Sequence, residues 1–186
     1  MPLPIVAALR PNGAPVTWTG GLAALLFADD RITSEQWLAY IGTGDAAGLP
    51  DPGATITVRA MGAGRDAEEC QIAAGPREAL GAMLLDRLQA AADGDAEALA
   101  RAVAELPERD RVAVQRHELR AERHMAARIS RCLVAIDGET AVDVGDGVRV
   151  SPAEALQCLP PSVRGLALAE VSGHINRLST LSPAGK

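Results

Sequence analysis

Three sets of residues in this chain have side chains that could carry chemistry. His117 and His124 are seven residues apart in a stretch that reads as helical. Seven residues is two helical turns, so the rings share a face about 10 Å apart along the axis. A single zinc ion needs its ligands at about 2.1 Å, a span that an i, i+4 pair manages and an i, i+7 pair does not. His117-Glu118 also lacks the second histidine of a zincin motif. Cys132 with the distant His174 would make a thiol–imidazole pair, but Cys132 sits in an apolar run where a thiol is expected to be inert. Asp137, Glu139, Asp143 and Asp146 form an acidic group without the oxygen-ligand spacing of a calcium loop. Gly42-Thr43-Gly44 and Gly62-Ala63-Gly64 lack the Lys-Ser/Thr of a P-loop and the third glycine of a dinucleotide fingerprint. The spacing therefore points to no catalytic residue, no metal ligand and no cofactor.

The most charged segment is a helix expected from Pro107 to about Ser130. It carries Arg109, Arg111, Arg116, Arg120, Arg123 and Arg128, with Arg131 just beyond it, against Asp110, Glu118 and Glu122. Arg116, Arg120 and Arg123 are the candidates for contact with phosphate or an acidic partner. The chain as a whole has a net charge of -6 and a pI near 5.1, and the arginine helix has no interleaved aromatics for base stacking. Nucleic acid is disfavoured as a partner.

Several elements would have to position these groups. Four prolines before residue 16 and the Gly20-Gly21 pair exclude helix, so residues 1–20 read as an extended arm with a strand piece at Val16-Thr17-Trp18. Residues 21–75 read as a small mixed region. It holds a short helix at 22–28, a helix capped by Thr33 or Ser34 with Trp37, Leu38 and Ile41 on one face, and a strand at Thr55–Arg59. Residues 76–186 read as a helical region. Its stripe from Leu80 to Leu88 and a second helix capped by Asp95 suggest a hairpin or small bundle. Residues 131–150 switch to alternation around the Asp137-Gly138 and Gly145-Asp146-Gly147 turns, which predicts a β-meander. Ser151-Pro152 opens a short helix. Ser162 caps a last one, with Val163, Leu166, Leu168, Val171, Ile175 and Leu178 as its apolar set.

The fold class is therefore α+β and mostly α: a helical hairpin or small bundle, a short antiparallel β-meander and an extended N-terminal arm. The 186 residues suffice for a buried core without staples. Three widely spaced cysteines do not make a secreted disulfide framework. The N-terminus has no basic stretch before a long apolar core, and the longest apolar run falls short of the roughly 20 residues that span a bilayer. A soluble intracellular protein without membrane contact is expected.

The C-terminal 80 residues carry one family likeness. Arg131-Cys132-Leu133-Val134-Ala135-Ile136-Asp137-Gly138-Glu139 precedes a Val/Asp-rich turn, a segment ending Leu159-Pro160, and a helix closing Ile175-Asn176-Arg177-Leu178-Ser179-Thr180-Leu181. This order resembles small tail assembly chaperones and baseplate-assembly proteins of tailed bacteriophages. The resemblance implies a non-enzymatic protein of tail or baseplate assembly, located in the host cytoplasm or the virion. Its partners would be other phage structural or assembly proteins, or further copies of itself. Ile175, Leu178 and Leu181 form the apolar stripe that such a partner could bind. Two other roles fit the same residues: a structural subunit of a virion or virion-like particle, and a bacterial adaptor or regulatory module using the arginine helix.

Overall fold

A computed structural model describes residues 16–62 and 65–181. It is mostly helical with two small antiparallel sheets, the expected α+β class. Most of the expected arm, residues 1–15, lies outside the described residues.

The elements follow local chemistry. Strand β1 (Thr17–Gly21) leads into a short helix α1 (Ala24–Ala28). Helix α2 (Ser34–Thr43) starts with a capping box, in which the Thr33 hydroxyl accepts from Gln36 N–H while the Gln36 side chain accepts from Thr33 N–H. It stops at Gly44, whose φ of 71° only glycine adopts cheaply. Strand β2 (Thr55–Arg59) alternates, burying Ile56 and Val58. Helices α3 (Arg65–Ala74), α4 (Ala79–Ala92), α5 (Ala96–Ala104) and α6 (Glu108–Cys132) follow. Asp95 caps α5 by accepting from Glu97 and Ala98 N–H. Strands β3 (Leu133–Ile136), β4 (Val142–Asp143) and β5 (Arg149–Val150) precede helix α7 (Pro152–Gln157), which has a Ser151–Glu154 capping box and proline in its first turn. Helix α8 (Pro161–Leu181) closes the fold.

The chain forms two compact units. One holds residues up to Glu68 together with those from Arg128 onward, and the other holds Glu69–Ala127. This differs from the expected division at residues 20 and 75. The expected meander is also corrected. β3 pairs with β2, giving a sheet of order β1-β2-β3, while β4 and β5 pair separately. The reason is burial and a latch. Leu133 and Ala135 need an apolar neighbour, which β2 supplies. The Asp137 carboxylate at the end of β3 accepts from Thr55 N–H at 2.7 Å, at the start of β2. Trp18 in the expected arm is part of β1 and pairs with Val58.

In the first unit α8 packs on α1, α2, β2 and α7. Its buried positions are Ala167, Glu170, Val171, His174, Ile175 and Leu178, the three- and four-residue spacing of a core-facing stripe. Leu38, expected on the inner face of α2, is 61% exposed; Tyr40 takes the inward position with Trp37. In the second unit α4 packs on α5, and Gly81 lets α4 approach Ala113 and His117 of α6.

Gly173 of α8 sits where a Cβ would run into Cγ2 of Ile41 on α2. Replacing helical glycine by alanine gains about 1 kcal/mol in propensity. Overpacking a tight contact costs about 1–3 kcal/mol. Gly173→Ala should therefore lower the denaturation midpoint in the native chain and raise it in an Ile41→Ala background. Gly165→Ala, with open space around it, should be stabilising in both.

Candidate functional site

Buried polar and aromatic side chains of the first unit gather against α8. The α8 stripe puts Glu170 and His174 one turn apart, and both are 0% exposed. Burying a charged or polar group costs several kcal/mol (on the order of 2–7 for a neutral one) unless it is paired, so its partners matter. Glu170 Oε1 accepts from Ala23 N–H at 2.8 Å, just before α1. Glu170 Oε2 accepts from the Trp37 indole N–H at 2.7 Å, on α2. One carboxylate thus joins three helices through two buried hydrogen bonds.

His174 is held differently. Its Nε2 lies 3.8 Å from Glu170 Oε1, and neither ring nitrogen has a hydrogen-bond partner. The ring is packed between aromatics: Trp18 at 4.1 Å between centroids with a 34° tilt, and Tyr40 edge-on at 5.1 Å. Burial holds its pKa below the ordinary histidine value, and the Glu170 carboxylate only partly opposes this. His174 is therefore neutral at pH 7.

The surrounding groups complete the cluster. The Tyr40 hydroxyl donates to Gly21 C=O at 2.7 Å, and burial, aided by Glu170, pushes its pKa well above the usual phenol value. The Arg177 guanidinium lies 4.8 Å above the Trp18 ring, a cation–π contact. Its Nε and Nη2 are buried without partners, and that desolvation lowers its pKa. Phe27 stacks on Trp37 at 5.0 Å. All four aromatic residues of the chain thus meet within one neighbourhood. A hollow of about 260 Å³ borders it, lined by Gly21, Ala23, Leu26, Tyr40, Leu49 and Pro52 among others. The hollow is mainly apolar, and the Tyr40 hydroxyl beside it is committed to Gly21.

Proton transfer needs a base within reach of a substrate proton. Glu170 and His174 are sealed, and both Glu170 oxygens already accept from the protein. Their arrangement serves cohesion: it fastens the β1–α1 corner and α2 to α8.

The residues singled out from the sequence fall in several places. Ile175 is 0% exposed and Leu178 is buried, so they form this chain's own core rather than a free docking stripe. Ala167, Val171 and the two polar residues continue the same buried stripe. The side chain of Leu181, the last residue of α8, lies outside the described residues. Arg116 and Arg123 are exposed on α6. Arg120 differs: its Nε donates to Gly75 C=O at 3.2 Å and its Nη2 to Gln71 at 2.6 Å, which ties α6 to α3. His124 lies 3.4 Å from the Gln71 amide, and no group of three His, Cys, Asp or Glu side chains among the described residues is close enough to hold a metal ion. Cys132 is fully buried. Asp137 and Asp146 have φ near 50° in turns, Asp143 accepts from Gly145 N–H, and Glu139 pairs with Arg149. Among the described residues no helix is long and apolar enough to cross a membrane.

Glu170 and Trp37 as partners were not foreseen. The signal was present: Glu170 and His174 fall on the Ala167–Val171–Ile175–Leu178 stripe, so their burial follows from helical periodicity. Comparison with protein-family models, curated proteins and solved structures returned no match.

Glu170→Gln keeps one acceptor but turns an amide N–H₂ toward a buried donor. One donor is left unpaired, which costs about 1–3 kcal/mol. Chemical denaturation followed by tryptophan fluorescence should show that loss. An unchanged midpoint would mean that the carboxylate is not holding the three helices.

His174 also makes stability pH-dependent. Its folded pKa lies below its unfolded value of about 6.5. The unfolded state then binds the proton more readily, so this contribution is full above about 6.5 and declines as pH falls through that value. Between about pH 7.5 and 5.5 the native chain should lose more stability than His174→Phe, which keeps the aromatic packing and removes the titration. Equal losses would contradict the assignment.

Proposed function

We propose that this chain is a non-enzymatic protein that works through protein–protein contacts, and that its setting is the assembly of a bacteriophage tail or baseplate. The observation that carries the non-catalytic part is the sealed Glu170–His174 pair. The acid/base side chains that the fold brings together are spent on joining helices and do not line an opening. What the chain offers outward is different in kind. Ile72 is 71% exposed, Leu38 lies open on α2, and Arg116 and Arg123 project from α6. Such side chains make contacts with other chains.

The tail-assembly setting rests on the C-terminal likeness. The residues that carry it have architectural roles here, which suits a family without a catalytic centre. Cys132, Leu133 and Ala135 are buried, Asp137-Gly138 turns the chain and latches β2, and Ile175 and Leu178 of α8 pack inward.

Affinity purification of the tagged chain from infected or induced host cells, with mass spectrometry of the eluate and of purified particles, tests this setting. Tail or baseplate proteins are expected in the eluate. Presence of the chain in particles at fixed copy number would make it a virion subunit, and absence would make it an assembly chaperone. An eluate without phage proteins would contradict the setting. Salt-sensitive binding to an acidic partner, lost on replacing Arg116 and Arg123, would then favour an adaptor role.

A further inference from the structure

Helix α6 carries three parallel rows at seven-residue spacing. Val112, Leu119 and Ala126 form a small apolar row. Glu108, Gln115 and Glu122 run along one side of it, and Arg109, Arg116 and Arg123 along the other. Every member of both polar rows is exposed, Leu119 is 45% exposed, and Ala126 is exposed with Val112 half-buried. All nine residues belong to the second compact unit. The opposite side of α6 is the one used internally. Ala113 and His117 meet Gly81 of α4, and Arg120 and His124 meet α3. At 100° per residue the open apolar row lies about 130° around the helix from that internal row.

We propose that this face of α6 is a self-association surface, on which the α6 helices of two copies pair in parallel about a two-fold axis. Charge complementarity selects this occupant. In a parallel pair the glutamate side of one helix faces the arginine side of the other, and the two-fold axis repeats that match on both edges. An antiparallel pair would set arginines against arginines and glutamates against glutamates. The seven-residue spacing is the repeat that keeps one seam facing a partner helix over successive turns. The seam spans about 21 Å and its apolar members are small, so the dimer is reversible and salt-sensitive rather than permanent. This surface rests on the protein-contact reading of the chain but not on the tail-assembly setting.

Cross-linking at single cysteines reads the geometry directly. In the full chain with Cys158→Ser, which removes the exposed native thiol, Val112→Cys and Ala126→Cys are introduced separately and together with mild oxidant. A parallel pair places each position against its own copy, within the Cα separation of about 4.4–6.8 Å that a disulfide needs. Each single variant should therefore form a covalent dimer, more so at low salt. Arg116→Glu with Arg123→Glu should abolish the dimer band, and adding Glu108→Arg with Glu122→Arg should restore it. These positions are exposed, so circular dichroism should be unchanged. Cross-linking only in a mixture of the two single variants would indicate antiparallel pairing and overturn the proposal. So would a chain that stays monomeric by light scattering at about tenfold above a micromolar dissociation constant. A monomer that still captures tail proteins would sink the dimer alone; a dimer that captures none would sink the assembly setting alone.

Discussion

One carboxylate in the core decides the arrangement of the first compact unit. Glu170 accepts from Ala23 N–H and from the Trp37 indole, so the β1–α1 corner, α2 and α8 have one meeting point. A buried charge cannot be left half-paired, because removing one partner of such a group costs far more than the pair itself contributes. The aromatic residues are set by this same joint. Trp37 is oriented by its indole bond and carries Phe27 on its face. His174, one turn further, packs against Trp18 and Tyr40, and Arg177 covers the outer face of Trp18. The near approach of α2 to α8 at Gly173 lies beside these contacts. Apolar burial supplies most of the cohesion. The polar joint fixes which residues meet.

Much of the local structure was legible from residue types and much of the pairing was not. Thr33, Asp95 and Ser151 mark helix starts because a side-chain oxygen satisfies free N–H groups, a purely local effect. The alternation in Thr55–Arg59 and the Asp137-Gly138 turn are equally local. The partner of β3 is not a local property. Alternation after residue 131 suits a meander, yet β3 joins β2 some 75 residues earlier, because Leu133 and Ala135 find burial there and Asp137 latches Thr55. The same holds for α8. Its apolar stripe was visible and Glu170 falls on it, but the donors that satisfy the carboxylate lie 147 and 133 residues away in the chain and are not a local property. The arginines of α6 divide in the same manner: sequence treats Arg116, Arg120 and Arg123 alike, while packing commits Arg120 to Gly75 and Gln71.

This division bears on function. Glu170 and His174, the buried acid/base pair, are architectural, and the outward-facing side chains include the arginine and glutamate rows of α6 and isolated apolar groups. This division supports the proposal that the chain acts by the surfaces that it presents. The ordered rows on α6 and the exposed apolar residues are the surfaces on which that proposal rests.

The measurement that tests the account most directly is hydrogen exchange at the Trp37 indole N–H and the Ala23 amide, followed by nuclear magnetic resonance. Both donate to a carboxylate placed at 0% exposure. If Glu170 is a sealed joint, these two protons exchange only through cooperative unfolding of the unit, with the same free energy as its global denaturation. Rapid exchange at either proton, well below that limit, would mean that water reaches Glu170 and His174 in the folded chain. That would contradict the sealed joint and remove the observation that carries the non-enzymatic proposal.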